Sequence, residues 1–426
     1  MNTLLVSIER NGTMIPVGTI RGDDPSDAYF AYLPEYLNDK DAAALSISLP
    51  LREEPYSVSQ TSRFFEGLLP EGFTRRSVAQ WMHVDENDYL SILHGLGREC
   101  LGAVCVTEPG EELQASYEPI TEKQVRDLAA EGATKSAELV TKSHLSLTGA
   151  SGKVGLYYSA EENEWYLPWG TAPSTHIIKQ SHVRLDGIVT NEQLALSTAA
   201  KCGIDIPHSF IINTGTGEEH EVLFATERFD RVFSDQSQLI NGLPRPLRLH
   251  QEDFAQAMGI PASQKYEKDF SGHMRGMFDI LRRYSGDPVK DQLRLWDIIV
   301  FNYLIGNTDA HVKNFSLLYG PSLKSIRLAP AYDIVSTTVY EQSTRDMAFS
   351  IGGVYSIDEL RREHFSRAAK DVGIGERMAM RRFDDMCGRF RKALREATEK
   401  LVSTGYPKAG EMEERILQSG GVRNTD

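Results

Sequence analysis

The sequence predicts an α+β fold of two lobes, one rich in strands and one mostly helical, preceded by an extra N-terminal α/β subdomain. A strand hairpin opens the chain, and strands alternate with one helix between residues 144 and 227. After residue 230 most segments follow the apolar spacing of helices. The acidic, polar stretch 107–140 separates the first two regions, so we expect domains at residues 1–140, 141–230 and 231–426.

The N-terminal subdomain opens with two alternating segments, LLVSIER and MIPVGTIRG, on either side of the pair Asn11-Gly12. Such a pair between alternating runs predicts a β-hairpin. Helical spacing follows in QTSRFFEGLLPEGFTRRSVAQWM and in NDYLSILHGLG.

From residue 144 the pattern predicts two strands joined by a small-residue turn, a third strand in STHIIKQ, a helix in VTNEQLALSTAAKCG, and two further strands. Asn191 is the expected N-cap of this helix and Gly203 its stop. The helices of the last region are expected in HQEDFAQAMG, FSGHMRGMFDILRRYS, DQLRLWDIIVFNYLIG and the long segment from Ile374.

Composition limits the classes of function. The 426 residues carry a formal net charge of −14, which argues against unassisted binding to nucleic acid. The four cysteines fit neither a disulfide framework nor a zinc pattern, and this favours a reducing, cytoplasmic compartment. The N-terminus has no signal-peptide pattern, and no run of 18 apolar residues predicts a membrane span.

The stretch FNYLIGNTDAHVKNFSLLY, residues 301–319, turns abruptly from apolar to polar and back. It holds Asp309, His311, Lys313 and Asn314, and a predicted short hairpin then leads to Asp333 in AYDIVS. Because a hairpin brings its ends together, Asn314 and Asp333 should lie side by side as oxygen ligands for Mg²⁺. Asp309 would then orient or deprotonate a hydroxyl. This order of base, amide and second acid is the working arrangement of protein kinases.

The upstream elements agree with a nucleotide site. Lys179 ends the third strand, where a kinase lysine reaches the phosphates of ATP, and Glu192 on the next helix could pair with it. The turn TGASG could bring its backbone amides close to phosphates. The segment ERFDR follows the fifth strand, where adenine would bind a hinge. The turn and the residue after it are Thr148, Gly149, Ala150, Ser151, Gly152 and Lys153.

Taken together, these stretches resemble the HipA-type serine/threonine kinases, the toxins of bacterial HipA/HipB toxin–antitoxin pairs. The matching segments span about residues 1–390 in the family's order. They are FFEGLLPEG, SLTGASGKVGL, THIIK, NEQLAL, ERFDR, RLHQEDFAQAMG, GNTDAHVKNFSLL and LAPAYDIVST.

The resemblance implies a role for each matching residue. Asp309 is the expected catalytic base, Asn314 and Asp333 the Mg²⁺ ligands, and Lys179 the ATP lysine. His311 is expected to orient the loop or transfer a proton, and Lys313 to contact the transferring phosphate or remain a solvated charge. The expected adenine hinge comprises Glu227, Phe229 and Asp230.

The resemblance also implies regulation and partners. In this family a serine of the phosphate loop is autophosphorylated, and Ser146 matches it. Here Ser151-Gly152 replaces the usual continuation of that loop, which leaves Thr148 and Ser151 as rival sites. The implied partners are a HipB-like helix-turn-helix antitoxin, operator DNA only through that antitoxin, and a protein acceptor, which in such relatives is an aminoacyl-tRNA synthetase. No membrane partner is expected.

Three other functions stay open at this point. A kinase-fold regulator could bind ATP or act as a co-repressor without turnover, although the four residues Lys179, Asp309, Asn314 and Asp333 argue against it. A small-molecule kinase of related fold would show the same nucleotide half. A metallohydrolase would need more histidines at ligand spacing than His311 alone provides.

Overall fold

The computed structural model of the protein describes residues 2–131, 139, 152–181, 185–234 and 237–425. Its N-terminal subdomain is a four-stranded antiparallel sheet, ordered β3-β2-β1-β4, with helices packed against it. The strands are β1 (Asn2–Arg10), β2 (Thr13–Gly22), β3 (Tyr29–Tyr32) and β4 (Val104–Thr107). The helices are α1 (Pro34–Leu37), α2 (Val58–Phe65), α3 (Gly72–Met82) and α4 (Tyr89–Leu96).

A six-stranded antiparallel sheet, ordered β5-β7-β6-β8-β10-β9, forms the N-lobe. Although it precedes residue 140, β5 pairs with β7 and so belongs to this second sheet. The strands are β5 (Ala115–Pro119), β6 (Lys153–Ser159), β7 (Glu164–Gly170), β8 (His176–Gln180), β9 (Ser209–Asn213) and β10 (Val222–Glu227). The helices are α5 (Glu122–Glu131) and α6 (Ile188–Lys201).

Short strands follow the N-lobe, and helices build most of the C-lobe. The strands are β11 (Arg231–Val232), β12 (Leu239–Ile240), β13 (Leu243–Pro244), β14 (Leu247–Arg248), β15 (Gln251–Asp253), β16 (Ser316–Tyr319), β17 (Ile326–Leu328), β18 (Asp346–Ile351) and β19 (Val354–Ser356). The helices are α7 (Phe254–Met258), α8 (His273–Tyr284), α9 (Pro288–Ile305), α10 (Arg362–Asp371), α11 (Glu376–Ser403) and α12 (Lys408–Ser419).

The C-lobe packs around α9, whose last eight residues, 298–305, are all buried. Aromatic side chains from three helices meet there, with Phe365 of α10 contacting both Trp296 of α9 and Phe383 of α11. The Trp296 indole N–H donates to the carbonyl of Ala379 at 3.0 Å. A helix buried on all sides is rigid, so its C-terminal end is a fixed platform for the loop that follows. Among the described residues, no helix has the length and apolar content needed to cross a bilayer.

The predicted α+β, two-lobed architecture is confirmed, as is the opening hairpin, in which Asn11 and Gly12 both have positive φ. One local prediction is wrong. Asn191 is not the N-cap of α6, because the helix begins at Ile188, three residues before it, and its N-cap is Gly187 in the left-handed region. Asn191 is buried instead and forms two hydrogen bonds of 2.9 Å with the backbone of Ser336. The side chain that the sequence pattern assigned to a helix cap is therefore used in a tertiary contact between α6 and the C-lobe.

A buried ion network, which we call the hinge network, joins the N-terminal subdomain to the end of the N-lobe sheet. Its members are Glu99, Arg228, Asp230 and Arg231. Arg228 Nη1 lies 3.1 Å from both carboxylate oxygens of Glu99, and Asp230 Oδ2 accepts from the Gly102 N–H at 2.7 Å. Each charged side chain in this network is almost fully buried, so each depends on its partners.

The substitution Glu99→Gln tests this dependence. It keeps the shape of the side chain but leaves two buried guanidinium groups short of a counter-charge, so we expect a loss of about 3–5 kcal/mol in the free energy of unfolding. Urea unfolding followed by circular dichroism measures the loss. The matched control is Glu112→Gln at an exposed position, which should shift the midpoint little. Equal midpoints for the two variants would refute a structural role for the network.

Candidate active site

Lys179 lies at the centre of the cleft between the lobes. It is buried near the end of β8, and its Nζ is 2.5 Å from Glu192 Oε1 on α6 and 2.5 Å from Asp333 Oδ1. Burial disfavours the charged lysine, but Asp333 and Glu192 more than offset this and raise its pKa. The predicted Lys179–Glu192 pair is present, and Asp333 joins it.

Asp333 carries the charge that faces two lysines of the N-lobe, Lys179 and Lys153. Its Oδ2 is 3.7 Å from the Nζ of Lys153, the first residue of β6. Burial opposes ionisation of Asp333, yet Lys153 and Lys179 hold the pKa of its carboxyl far below the usual range. Asp333 also has φ of 56°, in the left-handed region that non-glycine residues rarely occupy. Strained backbone of this kind often marks functional sites.

The polar loop after α9 takes the path that the sequence predicts. The helix ends at Gly306 with φ of 81°, and the chain then turns through Asp309 to a short 3₁₀ turn, Val312–Asn314. The Asn314 side-chain N–H donates to the Asp309 carbonyl at 3.0 Å, and the His311 backbone N–H donates to the same carbonyl at 2.8 Å. Asp309 and Asn314 are therefore held in one tight turn, and the Asn314 carboxamide oxygen takes no part in that hydrogen bond.

The hairpin β16–β17 brings its two ends together as expected. The hydroxyl of Tyr332, directly before Asp333, donates to the carbonyl of Lys313 at 3.0 Å and lies 2.6 Å from Ser316 Oγ. The residues on either side of the hairpin, Asn314 and Asp333, therefore belong to neighbouring segments of one site.

His311 is neutral in this setting. Burial, together with nearby Lys265, lowers the pKa of its imidazole to about 3. Its ring meets the ring of Tyr266 edge-on, with centroids 5.1 Å apart. A neutral buried imidazole at this position favours the expected orienting role over proton transfer.

Asp309 is exposed at the edge of the site, yet desolvation by the surrounding protein raises the pKa of its carboxyl. The Tyr266 hydroxyl donates a hydrogen bond to its Oδ1. A carboxylate with a raised pKa accepts a proton more readily, which suits a general base.

Lys313 is buried, and its expected role as a solvated charge is wrong. Its Nζ donates to Asp253 Oδ2 at 2.7 Å and is 3.5 Å from Glu71 Oε1. Burial disfavours the charged form, but Asp253 and Glu71 raise the pKa of Lys313. Lys313 also lines the cleft, so its charge faces the same space as Lys179.

The cleft lies between β8, α6 and β10 of the N-lobe and the β15 strand and Tyr332-Asp333 segment of the C-lobe. Apolar side chains of β8, α6 and β10 line it beside the lysines. These side chains include Ile177, Leu196 and Phe224. The expected hinge residues Glu227 and Phe229 also line it, and Phe229 packs on Tyr332 with ring centroids 5.5 Å apart. Asp230 borders the cleft, but its carboxylate is bonded to Arg228, Gly102 and Gln251, so it supports the hinge structurally.

The predicted phosphate turn is only partly described. Gly152 is buried directly before β6, and Lys153 faces Asp333. The remaining positions of that prediction lie outside the described residues. They are Ser146, Thr148, Gly149, Ala150 and Ser151.

The sequence did not predict a role in the site for four residues, which are Glu71, Asp253, Lys265 and Tyr266. Glu71 follows Pro70 at the start of α3 and lies between Lys313 and Lys265. Asp253 caps α7 through the Gln256 N–H and binds Lys313 with its other oxygen. Glu71 and Asp253 lie within the stretches FFEGLLPEG and RLHQEDFAQAMG, which carried the resemblance but suggested no chemistry.

Glu252, beside Asp253, is a buried acid without a basic partner among the described side chains that contact it. Its carboxylate accepts from Ser46 Oγ at 2.5 Å, from the Ile47 N–H at 3.1 Å and from the Tyr319 hydroxyl. Burial outweighs these bonds and raises the pKa of Glu252 to about 7. The group joins a loop of the N-terminal subdomain to the β15–β16 pair of the C-lobe.

The strand-rich lobe, the helical lobe and the residues between them define a protein of the kinase-like class. Residues 145–394 match the HipA-like C-terminal domain, and residues 12–107 match the HipA N-terminal domain. The chain belongs to the HipA family, which confirms the resemblance seen in the sequence.

Individual proteins similar to this chain are consistent with its membership of the HipA family. A putative kinase of Sinorhizobium fredii, Y4mE, is 34% identical over 387 residues, which cover 87% of this chain and 86% of that protein. The serine/threonine-protein kinase toxin HipA of Shewanella oneidensis is 26% identical over 402 residues, or 89% and 86% of the two chains. A solved complex of HipA, HipB and operator DNA from that species superposes with a TM-score of 0.77 at 22% identity, covering 97% of each chain. At that identity the superposition shows a shared fold.

The raised pKa of Glu252 predicts a pH-dependent stability. A carboxyl that holds its proton more tightly when folded contributes fully below pH about 4.5, and that contribution is lost as the pH rises through about 7. The shift corresponds to about 3 kcal/mol. We expect the free energy of unfolding to fall more for the wild type than for Glu252→Gln between pH 4.5 and 8. Parallel profiles in urea titrations would show that Glu252 is ionised throughout.

Proposed function

We propose that this protein is an ATP-dependent serine/threonine protein kinase and the toxin of a type II toxin–antitoxin pair. The observation that carries the proposal is the cluster of Lys179, Glu192 and Asp333 in the cleft, beside the loop that holds Asp309 and Asn314. These residues are of the types that phosphoryl transfer uses, namely a lysine with its acidic partner, a base and two oxygen ligands for magnesium.

ATP would bind with adenine between the apolar walls of the cleft and its phosphates toward the lysines. The hinge segment at Glu227 and Phe229 offers main-chain groups to the base, while Lys179 and Lys153 supply positive charge. Because Glu192 pairs with Lys179 independently of Asp333, the lysine stays oriented when Asp333 takes another partner.

Asp333 and Asn314 fit a magnesium ion. One carboxylate and one carboxamide oxygen are hard donors, and Mg²⁺ completes its octahedron with water and substrate phosphates. The ion would neutralise charge on the transferring group. In the structure the Asp333 carboxylate contacts Lys179 Nζ at 2.5 Å and Lys153 Nζ at 3.7 Å, so it already serves cationic groups.

Transfer would begin when a serine or threonine hydroxyl approaches Asp309. The hydroxyl oxygen forms a bond to the γ-phosphorus, the bond from that phosphorus to the β–γ bridging oxygen breaks, and ADP leaves. Asp309 takes the hydroxyl proton, which its raised pKa favours. Lys313, held by Asp253, keeps a positive charge beside the cleft. Most of the rate enhancement would come from positioning and charge stabilisation.

A HipB-like helix-turn-helix antitoxin is the proposed partner, because the superposed HipA occurs with HipB and operator DNA. With a net charge of −14, this chain needs such a partner to reach DNA. The proposed acceptor is a protein hydroxyl, with an aminoacyl-tRNA synthetase as the candidate class, and the proposed compartment is the cytoplasm. Autophosphorylation at Ser146 would silence the kinase and release growth arrest.

The substitution Asp309→Asn tests the proposal. Loss of the base should lower the rate of phosphate incorporation from Mg·ATP about 100- to 10,000-fold while nucleotide binding persists. Incorporation is followed with radiolabelled ATP, and phosphosites are mapped by intact-protein and peptide mass spectrometry. The matched control is Asp346→Asn, an exposed aspartate at the start of β18, which should keep the wild-type rate.

The position of the phosphate separates the alternatives. Phosphate on Ser146 in the wild type alone would support self-silencing, whereas phosphate only on Thr148 or Ser151 would move the acceptor within the loop. Nucleotide binding without phosphate on either protein, or on an added acceptor protein, would contradict the kinase and favour a non-catalytic regulator.

A further inference from the structure

Tyr266 touches the proposed catalytic base, although it lies 43 residues before it in the chain. Its hydroxyl donates to Asp309 Oδ1, and its ring packs edge-on against His311. The side chain is 40% exposed, so it borders the solvent side of the site, from which a protein acceptor must approach. None of the motifs that predicted the site includes this residue.

Both neighbours of Tyr266 are anchored. On one side, Lys265 Nζ is 2.7 Å from Glu71 Oε2 of the N-terminal subdomain. On the other side, the Glu267 carboxylate accepts three backbone hydrogen bonds from the C-lobe. The donors are the N–H groups of Gly272, His273 and Ser350, at 2.7, 2.8 and 2.6 Å. The backbone on both sides of Tyr266 is therefore fixed by these contacts, which holds the tyrosine in place.

A hydrogen bond to one carboxylate oxygen restricts rotation of the whole group. With Oδ1 held by Tyr266, the second oxygen of Asp309 is the one left to receive a proton. The backbone carbonyl of Asp309 is held separately by Asn314 and His311. Main chain and side chain of the base are thus fixed by different partners, which is the arrangement that preorganised catalysis requires.

We propose that Tyr266 is a positioning residue for phosphoryl transfer, which orients the Asp309 carboxylate toward the acceptor hydroxyl. This inference rests on the proposed kinase function and adds to it a residue delivered jointly by the N-terminal subdomain and the C-lobe.

The substitution Tyr266→Phe removes only the hydroxyl and keeps the ring against His311. We expect kcat for phosphate transfer to fall about 10- to 100-fold, with KM for ATP changed less than about twofold, since the nucleotide contacts are elsewhere. The assay uses radiolabelled ATP with myelin basic protein as a generic acceptor. The matched control is Tyr284→Phe at the exposed end of α8, which should keep the wild-type kcat. Urea midpoints verify that each variant is folded.

A double-mutant cycle distinguishes positioning from a general structural role. If Tyr266 acts through Asp309, the change Tyr266→Phe should lower the residual rate of the Asp309→Asn protein less than about twofold. A purely structural tyrosine would lower the rate by the same factor in both backgrounds.

Several outcomes would overturn the inference. A wild-type kcat in Tyr266→Phe would show that the hydrogen bond does not matter, and a higher kcat would make Tyr266 a block on the acceptor position. Equal losses in both backgrounds would place its effect away from Asp309. If the wild type transfers no phosphate to itself or to the acceptor protein, the kinase function itself fails, and this inference fails with it.

Discussion

The candidate active site depends on the charge balance around Lys179. Its ammonium lies between Glu192 of the N-lobe and Asp333 of the C-lobe, so one buried cation joins the two lobes. An uncompensated charge at this depth would cost several kcal/mol, and the two carboxylates offset that cost. Lys153 adds a second cation on the far side of Asp333. The two lobes are therefore joined across the cleft by ion pairs, in which the lysines of the N-lobe and Asp333 of the C-lobe neutralise each other.

Much of this arrangement could be predicted from the sequence because it is encoded in local order. The hairpin at Asn11-Gly12, the pairing of Lys179 with Glu192, and the turn from Asp309 to Asn314 all involve segments whose spacing determines how they fold. In such cases, backbone preferences and the order of the strands and helices leave few alternatives. The prediction that Asn191 caps a helix was wrong because its side chain bonds to Ser336, 145 residues away. A rule based on neighbouring residues does not include such a contact.

The contacts of Lys313 and Tyr266 could not be predicted because each joins residues that are far apart in the chain. Lys313 meets Glu71 across 242 sequence positions, and its other partner, Asp253, also caps a helix. Nothing in the residues around Glu71 distinguishes it from a solvated acid at the start of a helix. Tyr266 is equally unremarkable in sequence, and only the packing of the C-lobe against Asp309 reveals it.

Glu71 also limits how this protein can be divided. A single carboxylate serves as counter-ion to Lys265, which neighbours Tyr266, and to Lys313 of the polar loop after α9. A shortened chain that began after the N-terminal subdomain would keep both lysines and lose the acid they share. A fragment that keeps the candidate site intact therefore includes the first subdomain, and exchange of this subdomain between relatives should succeed only where the incoming one carries an acid at the same place.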